Sequence, residues 1–236
     1  MSQAITVVLV HAAWADGSSW KNVIVALQSK GVRVVAAAIP MTTLSNDVKA
    51  LDQTLEHVGG PVLLGGHAYS GAVVSAVDRE QVKGLVFVAS LTPDEGETVL
   101  EVFTREKPHE KAPQVAPDSN GLIWLPDRAF PDAFSHKSSR EQAALFGALQ
   151  RPINIACITE KAPIPAWKTK PSWYLIAEED RMINPKAQRF LAERMRARIR
   201  SEKADHVPME TAPGPVIEMF EEALHTVMSD SGTDAG

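Results

Sequence analysis

A chain of 236 residues, 44% of them hydrophobic, can bury one full core, and α/β chains of this size commonly form a single domain. A net charge of -5, with lysines and arginines scattered among acids, gives no basic stripe and argues against a nucleic-acid partner. The single cysteine, Cys157, excludes an internal disulfide and a cysteine metal cluster, and fits a reducing, cytoplasmic setting.

Short β-branched runs alternate with longer helical stretches, the pattern of βα units around a parallel sheet covered on both faces. The first strand is predicted at 6–10; with no basic residues before it and His11 directly after it, the run reads as a strand rather than a signal peptide. A helix over 19–29 follows, capped by Ser18 or Ser19 and closed at Gly31. Strand 33–38 and helix 45–57 come next, then an apolar strand at 62–65, the turn Gly66-His67-Ala68-Tyr69-Ser70-Gly71, and a helix over 69–77. A fourth strand at 83–89 leads into residues 98–170, which break the rhythm. This stretch is rich in proline and charge, carries one predicted helix at 140–149, and has the length of a lid over a site. Strand 173–177, helix 185–195, strand 198–203 and helix 215–228 complete one domain over 1–228, and the small polar residues 229–236 are expected to form a mobile tail.

No apolar run is long enough to span a bilayer. Gly65-Gly66 lacks the Lys-Ser/Thr of a phosphate loop, and His109 and His136 have no partner at metal-ligand spacing. Neither metal nor cofactor is expected, the partner is a small molecule rather than nucleic acid or membrane, and a homodimer is left open.

The turn at 66–71 has the form of a nucleophile elbow, G-x-S-x-G, between a strand and a helix. Its central position carries Ala68, a methyl group where covalent acyl transfer needs an oxygen or sulfur. With His11-Ala12-Ala13-Trp14 after the first strand, Asp180 after the fifth and Asp205-His206-Val207 after the sixth, the chain resembles the α/β-hydrolase superfamily. It is nearest to the small lidded branch that includes methyl-ester esterases and hydroxynitrile lyases. The resemblance covers most of the chain and keeps the order elbow, acid, histidine. It implies an α/β-hydrolase fold: a mostly parallel sheet of about six strands, helices on both faces and a lid insertion.

The resemblance also implies roles. His206 would be the general base and Asp180 its orienting acid, with Asp94 the runner-up acid. The backbone N–H groups of Ala13 and Tyr69 would form an oxyanion hole, which survives loss of the serine. Three departures stand out. Ala12 replaces a usual glycine, Ser70 occupies a position reserved for close packing and should point away from His206, and Val207 stands where hydroxynitrile lyases place a lysine. His11 is expected to make a structural hydrogen bond and Trp14 to wall a pocket. Trp124, Phe130, Phe134, Phe146 and Trp167 either line that pocket or form the lid's own core.

Three functions compete. In the first, His206 and Asp180 act as a base dyad on a small, mostly apolar carbonyl or ester compound, without cofactor. The second is an ordinary carboxylesterase whose serine was replaced to trap substrate, and the third a binding protein on a hydrolase scaffold. The first, an enzyme, is preferred, because Ala12, Ala68 and Ser70 all depart from the pattern, which points to divergence, and the base and acid are intact. The geometric expectation is a hydrogen bond between His206 and Asp180, with Ala68 at a strained turn beside the imidazole.

Overall fold

The computed structural model describes residues 4–233. The main sheet is assembled from β1 (Thr6–Val10), β2 (Val34–Ala37), β3 (Val62–His67), β4 (Val82–Val88) and two later strands. In chain order the helices between them are α1 (Lys21–Ser29), α2 (Leu44–Val58) and α3 (Ser70–Ser75). After β4 come α4 (Val99–Phe103), β5 (Leu122–Ile123), a π-helical turn (Phe130–Phe134), α5 (Arg140–Leu149), β6 (Ile153–Asn154) and α6 (Ile155–Thr159). The chain then returns through β7 (Ser172–Ala177), α7 (Pro185–Arg194), β8 (Arg198–Glu202), α8 (Pro208–Thr211) and α9 (Pro213–Thr233).

Six strands form one parallel sheet in the order β2-β1-β3-β4-β7-β8. β1, β3 and β7 are buried along their whole length, as continuous apolar runs covered on both faces require. Alternation along β3 shows the two covers directly. A Cβ on Gly65 would lie 2.5 Å from the Phe220 ring on α9, whereas a Cβ on Gly66 would lie 3.0 Å from the Ser70 carbonyl on α3. Strands β4 and β7 are neighbours, so the whole excursion 98–170 leaves and re-enters the sheet between adjacent strands.

That excursion carries more order than the single helix predicted for it. Its β5–β6 pair is antiparallel and only two residues long on each side, a length held by side-chain and tertiary bonds rather than by propensity. Gln150 fastens it, accepting from Leu125 N and donating to Leu125 O. At the first helix the cap differs from the expectation: Asp16, not Ser18 or Ser19, accepts from Ser18 N at 2.9 Å and starts a 3-10 turn (Gly17–Trp20) ahead of α1. α9 continues to Thr233, past the 228 at which the sequence pattern ended it; residues 234–236 of the expected tail lie outside the described residues. No helix among the described residues is long and apolar enough to cross a membrane.

Candidate active site

The elbow is a strained turn held from several sides. Ala68 has φ +51°, a left-handed conformation that costs a non-glycine residue about 1–2 kcal/mol. The surroundings fix it: Ala68 N donates to Val88 O, and Ala68 O accepts from Leu91 N at 2.9 Å and Gly71 N at 3.0 Å. Gly71 is required by the close approach of the next loop, since a Cβ there would sit 2.7 Å from Leu91 O. Ser70 turns inward; its hydroxyl donates toward Val10 O and His67 O, accepts from His67 N, and is wholly buried away from the cavity.

His206 follows β8, and Asp180 sits on the loop after β7, both at the carboxyl edge of the sheet. His206 Nδ1 lies 2.8 Å from Asp180 Oδ2. A carboxylate accepts, so Nδ1 carries the proton and Nε2 keeps its lone pair. Asp180 is 1% exposed and fully occupied: Oδ1 accepts from Met182 N at 2.7 Å and Ile183 N at 3.0 Å, while Oδ2 accepts from His206 and from Gln188 Nε2 at 2.8 Å. Asp94, by contrast, pairs with Lys168 at 2.6 Å and caps Glu95 N; no hydrogen bond among the described residues joins it to His206.

The lid holds both loops of the pair. Phe134 stands edge-on to the His206 ring at 5.3 Å. Lys137 N donates to Asp205 Oδ2, and its ammonium bonds Lys203 O and pairs with Glu179, so one lid residue touches a neighbour of His206 and a neighbour of Asp180. Phe134 meets Phe130 and Phe146 edge-to-face in the lid's own core, and none of the three lines the cavity. Trp124 is 48% exposed and also lies off the cavity, with Trp167.

A cavity of about 550 Å³ lies between the lid and the sheet edge, lined by Ala13, Trp14, Ala68, Tyr69 and His206 on the sheet side. Aliphatic residues, among them Leu91, Val99, Ile123, Ile153 and Ile183, make its buried walls. Lys107, His109, Glu110 and Gln114 line it from an exposed part of the lid. The N–H groups of Ala13 and Tyr69 donate to no other described residue, whereas Trp14 N is taken by Arg151 O and His67 N by Ser70.

Three buried arrangements support these groups. His11 Nδ1 donates to Ala12 O and its Nε2 accepts from Arg151 of the lid; burial lowers its pKa and keeps the ring neutral. Trp14 walls the cavity while its indole N–H donates to Ile123 O, which ties the loop after β1 to β5. Beneath Tyr69, the phenol donates to Asp47 Oδ2 at 2.6 Å, Met41 N donates to Asp47 Oδ1 at 2.6 Å, and Cys157 of α6 approaches Oδ2 at 3.7 Å. Burial raises the pKa of both Asp47 and Tyr69, and pushes the Cys157 thiol up to about 12.

Sequence reasoning overlooked Asp47 and Gln188, yet both leave a trace. Asp47 interrupts the apolar stripe Leu44, Leu51, Leu55, Val58 of α2, and Gln188 sits among Ala187, Leu191 and Ala192 of α7. A polar residue on a buried face needs a partner inside.

Residues 7–219 match the Alpha/beta hydrolase family. The chain belongs to that family. Within it, this chain is 29% identical to the carbendazim hydrolyzing esterase of Nocardioides sp. (strain SG-4G), over 45% of this chain and 50% of the other. The match thus spans about half the length of that curated relative. Among solved structures, the chain resembles a pyrethroid hydrolase from Sphingobium faniae JZ-2 with TM-score 0.80 and 17% identity, over 94% of this chain and 98% of the other. It also resembles a variant of tomato methylketone synthase I complexed with beta-ketoheptanoate, with TM-score 0.80 and 16% identity, over 96% and 100% of the two chains. These likenesses establish the fold.

Proposed function

We propose that this hydrolase-family chain is an enzyme that acts on a small, mostly apolar carbonyl or ester compound without a covalent nucleophile, with His206 and Asp180 as a base dyad. The observation that carries this reading is the Asp180–His206 hydrogen bond beside a cavity that Ala68, Ala13 and Tyr69 also line. With Nδ1–H on Asp180, the Nε2 lone pair can take a proton from a carbon next to a carbonyl. The C–H electron pair then becomes an enolate, and the Ala13 and Tyr69 N–H groups hold its oxygen. Returning the proton at a different carbon or face completes an isomerisation, and expulsion of a group β to the carbonyl, which leaves with its bonding pair and takes the proton from Nε2, completes a lyase reaction. For an ester, Nε2 would take a proton from water as the water oxygen adds to the carbonyl carbon, and the imidazolium would give that proton to the departing alcohol. The methyl group of Ala68 forms no bond in either course. The reading also takes the enzyme to work in the cytoplasm, without cofactor, on a freely diffusing compound.

The aliphatic walls support an apolar substrate body, and the beta-ketoheptanoate of the tomato complex is a suitable probe beside a short aliphatic methyl ester. The native chain is expected to turn over at least one probe, with a loss of about 100-fold or more in His206→Ala. Intact mass after a fluorophosphonate is expected to show labelling of Ala68→Ser alone. Labelling of the native chain would overturn the reading, because another serine would be activated. No turnover by the native chain, together with a labelled and ester-cleaving Ala68→Ser, would replace it with an esterase lacking its serine. No turnover by the native chain and labelling of neither chain would replace it with a binding role.

A further inference from the structure

The dyad has a third member that sequence motifs do not reveal. Gln188 is wholly buried on α7, and its amide is fixed at both ends. Oε1 accepts from Ala177 N at 3.0 Å, the last residue of β7, and Nε2 donates to Ile183 O at 3.0 Å and to Asp180 Oδ2 at 2.8 Å. An N–H can only donate and a carbonyl can only accept, so the amide has one permitted orientation, with its NH₂ on the acid. Asp180 Oδ2 is therefore shared between Gln188 and the Nδ1–H of His206.

No lysine or arginine among the described residues forms an ion pair with Asp180. A buried carboxylate without a cation keeps its charge only through hydrogen bonds. Two of its four donors are backbone groups on Oδ1, and on Oδ2 the sole donor besides the imidazole is Gln188. The other ionisable neighbours are engaged elsewhere: His67 Nε2 on His206 O, Tyr174 hydroxyl on Ser90, and Asp205 on Val207 N, Thr211 and Lys137 N.

We infer that Gln188 is a positioning residue of the dyad, holding Asp180 Oδ2 as an acceptor on His206 Nδ1–H and so keeping the tautomer that leaves Nε2 basic. Without that amide, a proton taken up from solvent at Nε2 lets the Nδ1 proton pass to Oδ2. The acid then donates to Nδ1, the ring carries its own proton on Nε2, and the base is lost. The inference rests on His206 being the base of the proposed function.

The test is ¹⁵N NMR of histidine-labelled full-length protein, native and Gln188→Met, read at the two ring nitrogens of neutral His206. The native ring is expected to be protonated at Nδ1, and Gln188→Met to shift the ring toward the Nε2–H form. With beta-ketoheptanoate, kcat of the variant is expected to fall about 10-fold with KM unchanged, as for a lost orienting contact. A folded Gln188→Met that retains the native tautomer overturns the inference. Should Gln188→Met not fold, Gln188→Ser leaves room for water to meet Ala177 N–H, and the same shift at the two ring nitrogens is expected of it. The tautomer readout needs no turnover. A tautomer change in a chain that turns over no probe therefore keeps the positioning role and removes the base reading instead.

Discussion

His67, one residue before the elbow's centre, is buried with Nε2 on the His206 carbonyl and Nδ1 without a partner among the described residues. Since the carbonyl accepts, Nε2 holds the proton and Nδ1 is a bare acceptor, 4.8 Å ring to ring from His206. Burial, reinforced by His206, pushes its pKa well below 6.5, and burial also lowers His11. The folded state thus refuses protons that the unfolded chain accepts below about pH 6.5, so stability is complete above that value and is lost as pH falls beneath it. Urea midpoints at pH 7.5 and 5.5 should therefore separate more in the native chain than in His67→Gln, whose amide can still donate to the His206 carbonyl. Equal separations would show that His67 is not the group responsible. Such residues were partly legible. Ala68, Asp180 and His206 stand at positions that motif and chain order single out, and the structure brings Ala68 and His206 to one cavity and Asp180 to His206. Asp47 and Gln188 were not legible, because local pattern records only that a polar side chain lies on an apolar face, and not which polar atoms of neighbouring elements and loops it meets.

At the scale of elements, the inner strands β1, β3, β4 and β7 were legible because a strand covered on both faces is a largely apolar run, and the bounds of all six strands fall within two residues of the pattern. The lid was not. β5, β6 and α6 are too short to leave a period in the sequence, and they exist through distant bonds such as Asn154 N to Met41 O and Ile155 N to Gly121 O. The elbow lies between these extremes: glycine spacing marks it, but only the structure shows which glycine is indispensable. Gly71 meets the β4 loop so closely that a methyl group must displace backbone, at Leu91 O, rather than a flexible tip. Gly71→Ala is expected to lose about 2 kcal/mol or more of stability in urea unfolding. A loss under about 0.5 kcal/mol, within the range of an ordinary surface change, would mean that the loop after β4 moves freely from the elbow.

Across the whole molecule, the lid divides into a fastened part and a loose one. Phe134, Lys137, Arg151 and Trp14's partner Ile123 bind the fastened part to the sheet edge. The stretch 105–117 crosses the cavity mostly exposed, and its ties to the body include Asn184 Nδ2 on Lys107 O and Arg105 over the Phe190 ring. Limited trypsin digestion should therefore cut first at Arg105 or Lys111, and a cavity ligand should slow those cuts. First cuts within α5 would reverse the assignment of loose and fastened parts. The fastened part also hides a clock. Cys157 is the chain's sole thiol, buried against Asp47 below Tyr69 on the lid's α6. No reagent in solvent can meet its sulfur until α6 parts from the elbow. Its alkylation rate therefore counts how often roof and floor of the cavity come apart, with no added label to disturb the count.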